Sequence, residues 1–334
     1  MKNKVLIVGL GQIGLQYDLH LAQDSFTYTH SRAFSKHKDF DLIAAVDNNK
    51  EQRDEFSQKY SLPAYDDLSE ALKIHNPDVV VIATSTQTHA EILSIVLKLS
   101  TPKIVLCEKP LSYHLHEAQE MVDLCKNKGV DLYVNYMYRS DIGAIEVKNW
   151  LDSNNLDVGV KGVCWYSKGF IHNGSHFFNL LEYWLGSMRK FNLININKAR
   201  NSDNDYEPDV EIEFEKGKIV FISAWEEAFS HYTVELLTPN GRVRYDDRGA
   251  TIHLQGVINS PIFKGYKILD PEPKVIMSNM QHSQLNVVNQ LSDCISGSGK
   301  VSNLCSGEEA LFEESFFSTG LDVQYDFLNY YKGI

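Results

Sequence analysis

Positive charge is scarce in this chain of 334 residues. Lysine and arginine total 32 against 44 aspartates and glutamates, so the formal charge is 32 − 44 = −12. Phosphate backbones and anionic membranes repel such a chain unless basic residues cluster locally. The densest basic stretch, Lys126 and Lys128 around Asn127, makes no such patch. Neither nucleic acid nor a membrane is expected as a partner. Long apolar runs are missing too: nothing reaches the roughly 18 residues of a membrane span. The apolar start at residues 5–9 is soon interrupted by Gly11 and Gln12, so it reads as a strand entering a turn rather than a leader. Cysteine is sparse, with five residues, an odd number, and no C-x-x-C. That argues against a disulfide framework or a zinc site and for a reducing compartment, here the cytoplasm. No set of His, Asp and Glu has metal-ligand spacing, so no metal is expected. What remains is an ordinary globular composition, 43% hydrophobic and 23% charged. The length suggests two domains at about 150 residues each.

The first third alternates short β-branched runs with helical patterns. Residues 5–8, 42–46, 79–82, 103–106 and 132–134 read as strands, and 50–59, 87–98 and 115–127 as helices. Such alternation implies a parallel sheet covered on both faces. From about residue 159 the period changes. Residues 210–214, 218–224, 232–237 and 242–245 alternate apolar and polar, and turn signals at Gly217 and Asn240-Gly241 separate them. These predict an antiparallel meander. Helices are expected at 174–185, 281–296 and 308–331. Residues 255–280, with three prolines, read as loop. The expected division is a dinucleotide-binding domain at 1–137 and a second domain at 138–334.

Gly9-Leu10-Gly11-Gln12-Ile13-Gly14 follows the first strand directly. The first glycine permits a tight turn, the second a close approach of backbone to pyrophosphate, and the third close packing of helix on strand. Gly9, Gly11, Gln12, Ile13 and Gly14 are therefore candidate cofactor residues. Asp47 ends the second strand, where a carboxylate accepts ribose hydroxyls and repels a 2′-phosphate. NAD is accordingly expected over NADP. The acid ordinarily lies about 20 residues beyond the glycines, but Asp47 lies 33 beyond Gly14. Residues 15–27 are read as an insertion, expected to border the cofactor or substrate site.

Glu108-Lys109-Pro110 follows the strand at 103–106. With the glycine motif upstream, the chain resembles the Gfo/Idh/MocA family of nicotinamide-dependent oxidoreductases. Residues 83–89, 135–139 and 174–181 resemble further segments of that family. The resemblance implies a Rossmann domain, a doubly wound parallel sheet, followed by an α/β domain with an open, mostly antiparallel sheet. A homodimer or homotetramer through that sheet is implied, as is a sugar, sugar-nucleotide or cyclitol substrate. It also implies that Thr84, Ser85, His89 and Glu108 lie along the cofactor, although His89 also admits a structural reading. The resemblance further implies that Lys109 lies beside the nicotinamide before a cis Pro110, and that His176 reaches the same site from the second domain. The sequence departs from the family at two places. Many members have Asp four residues before the histidine, where this chain has His172. Many have Asp three residues after it, where this chain has Asn179.

Oxidising a secondary alcohol requires a hydride acceptor, a base for the hydroxyl proton and a stabiliser of the developing alkoxide. Lys109 is the first choice for contacting the hydroxyl and His176 for proton transfer, with the roles exchangeable. His172, Asn173, Arg139, Lys168 and Tyr136 are candidate substrate contacts. Each has a plainer reading: Arg139 as a salt-bridge partner, His172 and Asn173 as loop residues, Tyr136 as core. Two other functions stay open: an NAD-using glycosidase that oxidises its sugar only transiently, and a dinucleotide-binding regulator without catalysis.

Overall fold

In the computed structural model, which describes residues 2–154, 159–197, 205–225, 227–297 and 302–316, the β-branched runs form parallel strands. These are β1 (Asn3–Val8), β2 (Phe40–Val46), β3 (Ala64–Tyr65), β4 (Val79–Ile82), β5 (Ile104–Cys107) and β6 (Asp131–Val134). Between them run α1 (His30–Lys36), α2 (Lys50–Tyr60), α3 (Leu68–His75), α4 (His89–Leu99) and α5 (Leu115–Lys128). The order is β3-β2-β1-β4-β5-β6, all parallel. The sheet order therefore reverses at β1, and sheets of this kind bind ligands beyond the carboxyl ends of the strands at that point. Both faces are covered. Leu6 and Val8 pack with Leu72, Leu93, Val96 and Met121 of α3, α4 and α5, whereas Val5 and Ile7 pack with Phe34 of α1 and Phe56 of α2. Asn49 and Asp67 start α2 and α3 by accepting the amides of Glu51 and Ser69.

The second unit holds α6 (Ile142–Ser153), β7 (Val160–Tyr166), α7 (Ser175–Leu185), β8 (Met188–Asn197), β9 (Glu207–Phe214), β10 (Gly217–Ser223) and β11 (Thr233–Thr238). It continues through β12 (Gly241–Asp246), β13 (Thr251–Asn259), β14 (Lys267–Leu269) and β15 (Lys274–Ile276). The sheet runs β14-β13-β12-β11-β7-β10-β9-β8, with β15 also on β13. Every pairing is antiparallel except β7 with β10, which is parallel. The aromatic residues of α7 hold it to the sheet: Phe177 stacks on Tyr232, Phe178 meets Phe214, and Trp184 meets Tyr245 edge-on at 5.4 Å. Trp184 Nε1 donates to Ala144 O at 2.9 Å and ties α6 to α7. The loop expected at 255–280 is corrected. Strand β13 ends inside it and β14 and β15 lie within it, while Pro261, Pro271 and Pro273 fall in the links between them. Proline punctuates these short strands without abolishing them.

The chain then returns to the first unit through α8 (Ser283–Ser296), β16 (Cys305–Ser306) and α9 (Gly307–Phe316). Val287, Val288 and Leu291 of α8 are at most 1% exposed and complete the face formed by Phe34 and Phe56. Burial of one such side chain contributes about 1.5–3 kcal/mol. β16 joins the sheet antiparallel to β6, and Ala310 of α9 packs on the opposite face. The described residues of Met1–Ser140 and Gln281–Thr319 thus form one unit and those of Asp141–Met280 the other. This corrects the expectation that everything from 138 to 334 is one domain. The helix expected at 308–331 begins at Gly307, and its part beyond residue 316 lies outside the described residues.

Candidate active site

The glycine motif sits at the carboxyl end of β1. Gly9 has φ +101°, and a Cβ there would lie 2.5 Å from Ala83 O and 2.8 Å from Thr84 N. Only glycine lets the turns after β1 and β4 approach this closely. A Cβ on Gly14 would lie 2.1 Å from Gly9 O, so Gly14 closes the turn. Gly11 differs: a Cβ there meets nothing within 4 Å. Its missing side chain leaves open space above the turn, which suits the backbone approach that a pyrophosphate requires. Asp47 fastens the turn from beside it. One carboxylate oxygen accepts Leu10 N at 2.6 Å and the other Asn49 N at 2.7 Å. A carboxylate offers about four acceptor sites, so hydroxyls can still be held. The residues present fit a dinucleotide: a turn without side chains, then an acid at the end of β2.

The insertion interrupts the helix that the motif starts. Leu15 N reaches back to Gly11 O and Tyr17 N to Gln12 O, which makes a single turn. Helical bonding then resumes far along the chain, with His30 N on Ile13 O at 3.0 Å and Ser31 N on Gly14 O at 3.1 Å. Residues 17 apart here bond as residues four apart do in a helix, so 17 − 4 = 13 residues form the excursion. Asp18 anchors it. Its buried carboxylate accepts Tyr28 N, Thr29 N and Thr29 Oγ1, and it faces Arg32 Nε at 3.3 Å. Arg32 in turn donates to the carbonyls of Asp18, Leu21, Ala22 and Phe26. Both ends of the excursion lie at the carboxyl end of the strands, beside the glycine turn.

The returning chain delivers His30, the first residue of α1. Its ring is fully buried, and Nε2 donates to Glu108 Oε1 at 2.8 Å. Asn135 Nδ2 donates to the same oxygen at 2.6 Å and to Gln284 Oε1 at 3.2 Å. Burial alone would raise the Glu108 carboxyl. The hydrogen bonds of His30 and Asn135, with the charges of His30 and Lys109, outweigh burial and hold it below the ordinary range. Glu108, expected along the cofactor, therefore fixes the base of the loop that carries Lys109. The Lys109–Pro110 bond is cis, as expected.

His89 is corrected in the same sense. It is 0% exposed, with Nδ1 facing Leu111 O at 3.1 Å and Nε2 facing Thr84 O at 3.2 Å. It clasps the loops after β4 and β5 rather than meeting a cofactor itself. Desolvation lowers its pKa from 6.5, more than the neighbouring carbonyls and Glu108 raise it. The unfolded chain therefore takes up a proton at His89 first as the pH falls. Its contribution to stability is whole above that ordinary value and is lost as the pH drops below it. Urea denaturation on either side of that value checks this. A His89→Gln chain is expected to be less stable at the higher pH yet to lose less on acidification. Equal losses in the two chains would contradict the assignment.

The second unit presents its own cluster. His176 opens α7 and is 7% exposed. A π-helical turn, Phe170–Gly174, precedes it and carries His172 and Asn173. His172 Nδ1 lies 2.7 Å from Asp205 Oδ2. Asn173 Nδ2 donates to Lys168 O at 2.7 Å, so Asn173 braces its own loop, while the Lys168 side chain is exposed. Arg139 and Tyr136, expected as substrate contacts, belong to the first unit. Arg139 is 6% exposed and pairs with Glu309 at 3.0 Å, and Tyr136 is 3% exposed within the core. No group of three or more potential metal ligands occurs among the described residues. No helix among them is long and apolar enough to cross a membrane.

Residues 3–136 match the model of an oxidoreductase family, Gfo/Idh/MocA, described as an NAD-binding Rossmann fold. A trans-1,2-dihydrobenzene-1,2-diol dehydrogenase of Mus musculus is 34% identical over 113 residues, covering 34% of this chain and 32% of the relative. An NADP(+)-dependent scyllo-inositol 2-dehydrogenase of Bacillus subtilis is 35% identical over 96 residues, covering 28% and 29%. The chain thus spans about a third of the length of these curated relatives. An oxidoreductase of Agrobacterium radiobacter, solved with NAD+, L-tartaric acid and magnesium, shares the fold. Its TM-score is 0.70 at 17% identity, with 94% of each chain covered.

Proposed function

We propose, for a chain whose residues 3–136 belong to the Gfo/Idh/MocA oxidoreductase family, that it oxidises or reduces a ring carbon of a polyol with NAD as partner. The observation that carries this reading is the glycine turn beside a fixed Glu108-Lys109-Pro110 loop, both at the carboxyl end of one parallel sheet. The dinucleotide, when bound, exchanges the hydride with the carbinol carbon. Everything else falls to side chains. Lys109 contacts the reacting oxygen and stabilises the alkoxide that develops there. His176 takes the hydroxyl proton in oxidation and returns it in reduction. Glu108, held by His30 and Asn135, keeps the Lys109 loop in place. Thr84 and Ser85, on the turn that Gly9 packs against, line the cofactor. Relatives named for inositols and for a dihydrodiol support a substrate with neighbouring ring hydroxyls. The oligomer proposed is a dimer or tetramer through the second unit's sheet, and the compartment is the cytoplasm.

The choice of dinucleotide rests on Asp47, whose carboxylate disfavours a 2′-phosphate. One observation favours NADP instead. Arg53 of α2 donates to Asp47 O at 2.8 Å and Asn48 O at 3.0 Å, which puts a cation beside the same strand end. Titrating the chain with both dinucleotides decides between them. NAD is expected to bind more tightly, and Asp47→Ala is expected to narrow the gap. Equal or tighter NADP binding by the unmodified chain would contradict the NAD assignment and give the 2′-phosphate to Arg53.

A further inference from the structure

The acid that ends β2 is more fully occupied than a waiting ribose site should be. Asp47 Oδ2 accepts Leu10 N at 2.6 Å, and Oδ1 accepts Asn49 N at 2.7 Å. A third donor sits astride both oxygens. The Gln52 amide nitrogen lies 3.3 Å from Oδ1 and 3.1 Å from Oδ2. A carboxylate offers about four acceptor sites, two on each oxygen. The two backbone amides take one on each, and Gln52 covers the remaining pair. The local sequence explains why Gln52 turns this way. It is the third residue of α2, where a glutamine ordinarily reaches back to the backbone N–H of the residue that caps the helix. That residue is Asn49, whose side chain accepts Glu51 N at 2.9 Å. The N–H of Asn49 already donates to Asp47, so the Gln52 amide turns to the carboxylate itself. Arg53, the next residue, does not compete for it. Its guanidinium donates to the carbonyls of Asp47 and Asn48 and lies 3.6 Å from Asp66.

Two neighbouring ribose hydroxyls grip a carboxylate by bridging its two oxygens, one hydroxyl to each. The Gln52 nitrogen holds that bridging position. We infer that Gln52 is a stand-in donor: it occupies the ribose position of Asp47 in the free chain, and the adenosine ribose displaces it on binding. This rests on the proposed function, in which the glycine turn and Asp47 hold a dinucleotide, and deepens it. Gln52 is then a specificity residue for the cofactor, and it acts by competition. The competition bears unequally on the two dinucleotides. NAD gives Asp47 two hydroxyls in exchange for the Gln52 amide, so both oxygens regain a donor. NADP gives one hydroxyl and a phosphate, and displacing Gln52 then bares the carboxylate toward that anion. Gln52 therefore weakens the binding of NAD and softens the rejection of NADP.

The sign of the effect tests this on the full chain, because a glutamine that merely braced the loop would weaken binding when removed. Gln52→Met keeps the length of the side chain and removes the donor. It is expected to bind NAD about threefold to tenfold more tightly than the parent, the scale of one hydrogen bond. NADP is expected to gain less, so the preference for NAD widens. Calorimetric titration with both dinucleotides reads both changes. If the parent binds NAD and Gln52→Met binds it no more tightly, the inference is overturned while the oxidoreductase reading stands. The second measurement is nitrogen-15 NMR of the glutamine side-chain amides in the parent chain. Gln52 is assigned there through its own backbone amide, so this arm holds even if Gln52→Met fails to fold. ADP-ribose is expected to move the Gln52 resonance. Nicotinamide mononucleotide, which lacks the adenosine ribose, is expected to leave it in place. A resonance unmoved by bound ADP-ribose overturns the inference. Failure of the parent to bind either dinucleotide overturns the reading and this inference with it.

Discussion

Lys109→Ala is expected to slow turnover on the order of 10²–10⁴-fold while leaving dinucleotide affinity nearly intact, the range of a group that acts in the chemical step. His176→Ala is expected to do the same. The two residues come from different units of the chain, so a shared deficit could not arise from one damaged core. The double variant is expected to lose much less than the product of the single losses, because groups that act as a unit are not additive. Steady-state kinetics with parallel cofactor titrations measure all three. If His176→Ala keeps near-normal turnover, the proton path is misassigned, and the Asp205-held His172 becomes the leading proton acceptor.

A pair of glycine substitutions produces the other large effect and separates binding from folding. Gly11→Ala places its methyl in open space, with nothing within 4 Å. Its stability is expected to match the parent, while its dinucleotide affinity falls because the methyl takes the room of the pyrophosphate. Gly14→Ala puts a methyl 2.1 Å from Gly9 O, where backbone has to give. Overpacking of this kind costs about 1–3 kcal/mol, which is roughly a fivefold to 150-fold loss where the strain is relieved only in the free chain. Gly14→Ala should therefore lose both stability and affinity. Thermal melting and cofactor titration of the two variants tell the cases apart. Undiminished NAD binding by Gly11→Ala would contradict the placement of the cofactor on this turn.

The parallel sheet was legible because its strands carry their own punctuation. Short β-branched runs end in Gly9, Asp47 and Glu108, and each of these residues proves to hold a turn at the carboxyl end of the sheet. The insertion was legible from spacing alone, as the distance from Gly14 to Asp47 was too long. What it accomplishes was not. The re-entry of the helix at His30 depends on bonds to Ile13 and Gly14, which no local pattern records. Asp205 was hidden for the same reason: it lies 33 residues from His172 in sequence, and an acid in a polar stretch reads as solvated. Helix α8 was expected almost to the residue, yet its apolar stripe does not say which sheet it covers. A single cut near residue 137 therefore missed its return to the first unit.

The most direct test of the central claim is the stoichiometry of reduced nicotinamide against oxidised substrate. The chain is incubated with NAD and a panel of inositols, aldoses and nucleotide-activated sugars, and ketone and NADH are counted together. The account predicts one NADH for each ketone formed, with no product from Lys109→Ala on the same timescale. Release of a free sugar without net NADH would show a glycosidase that oxidises only transiently. Tight NAD binding without turnover of any member of the panel would show a regulator, and either result would contradict the account.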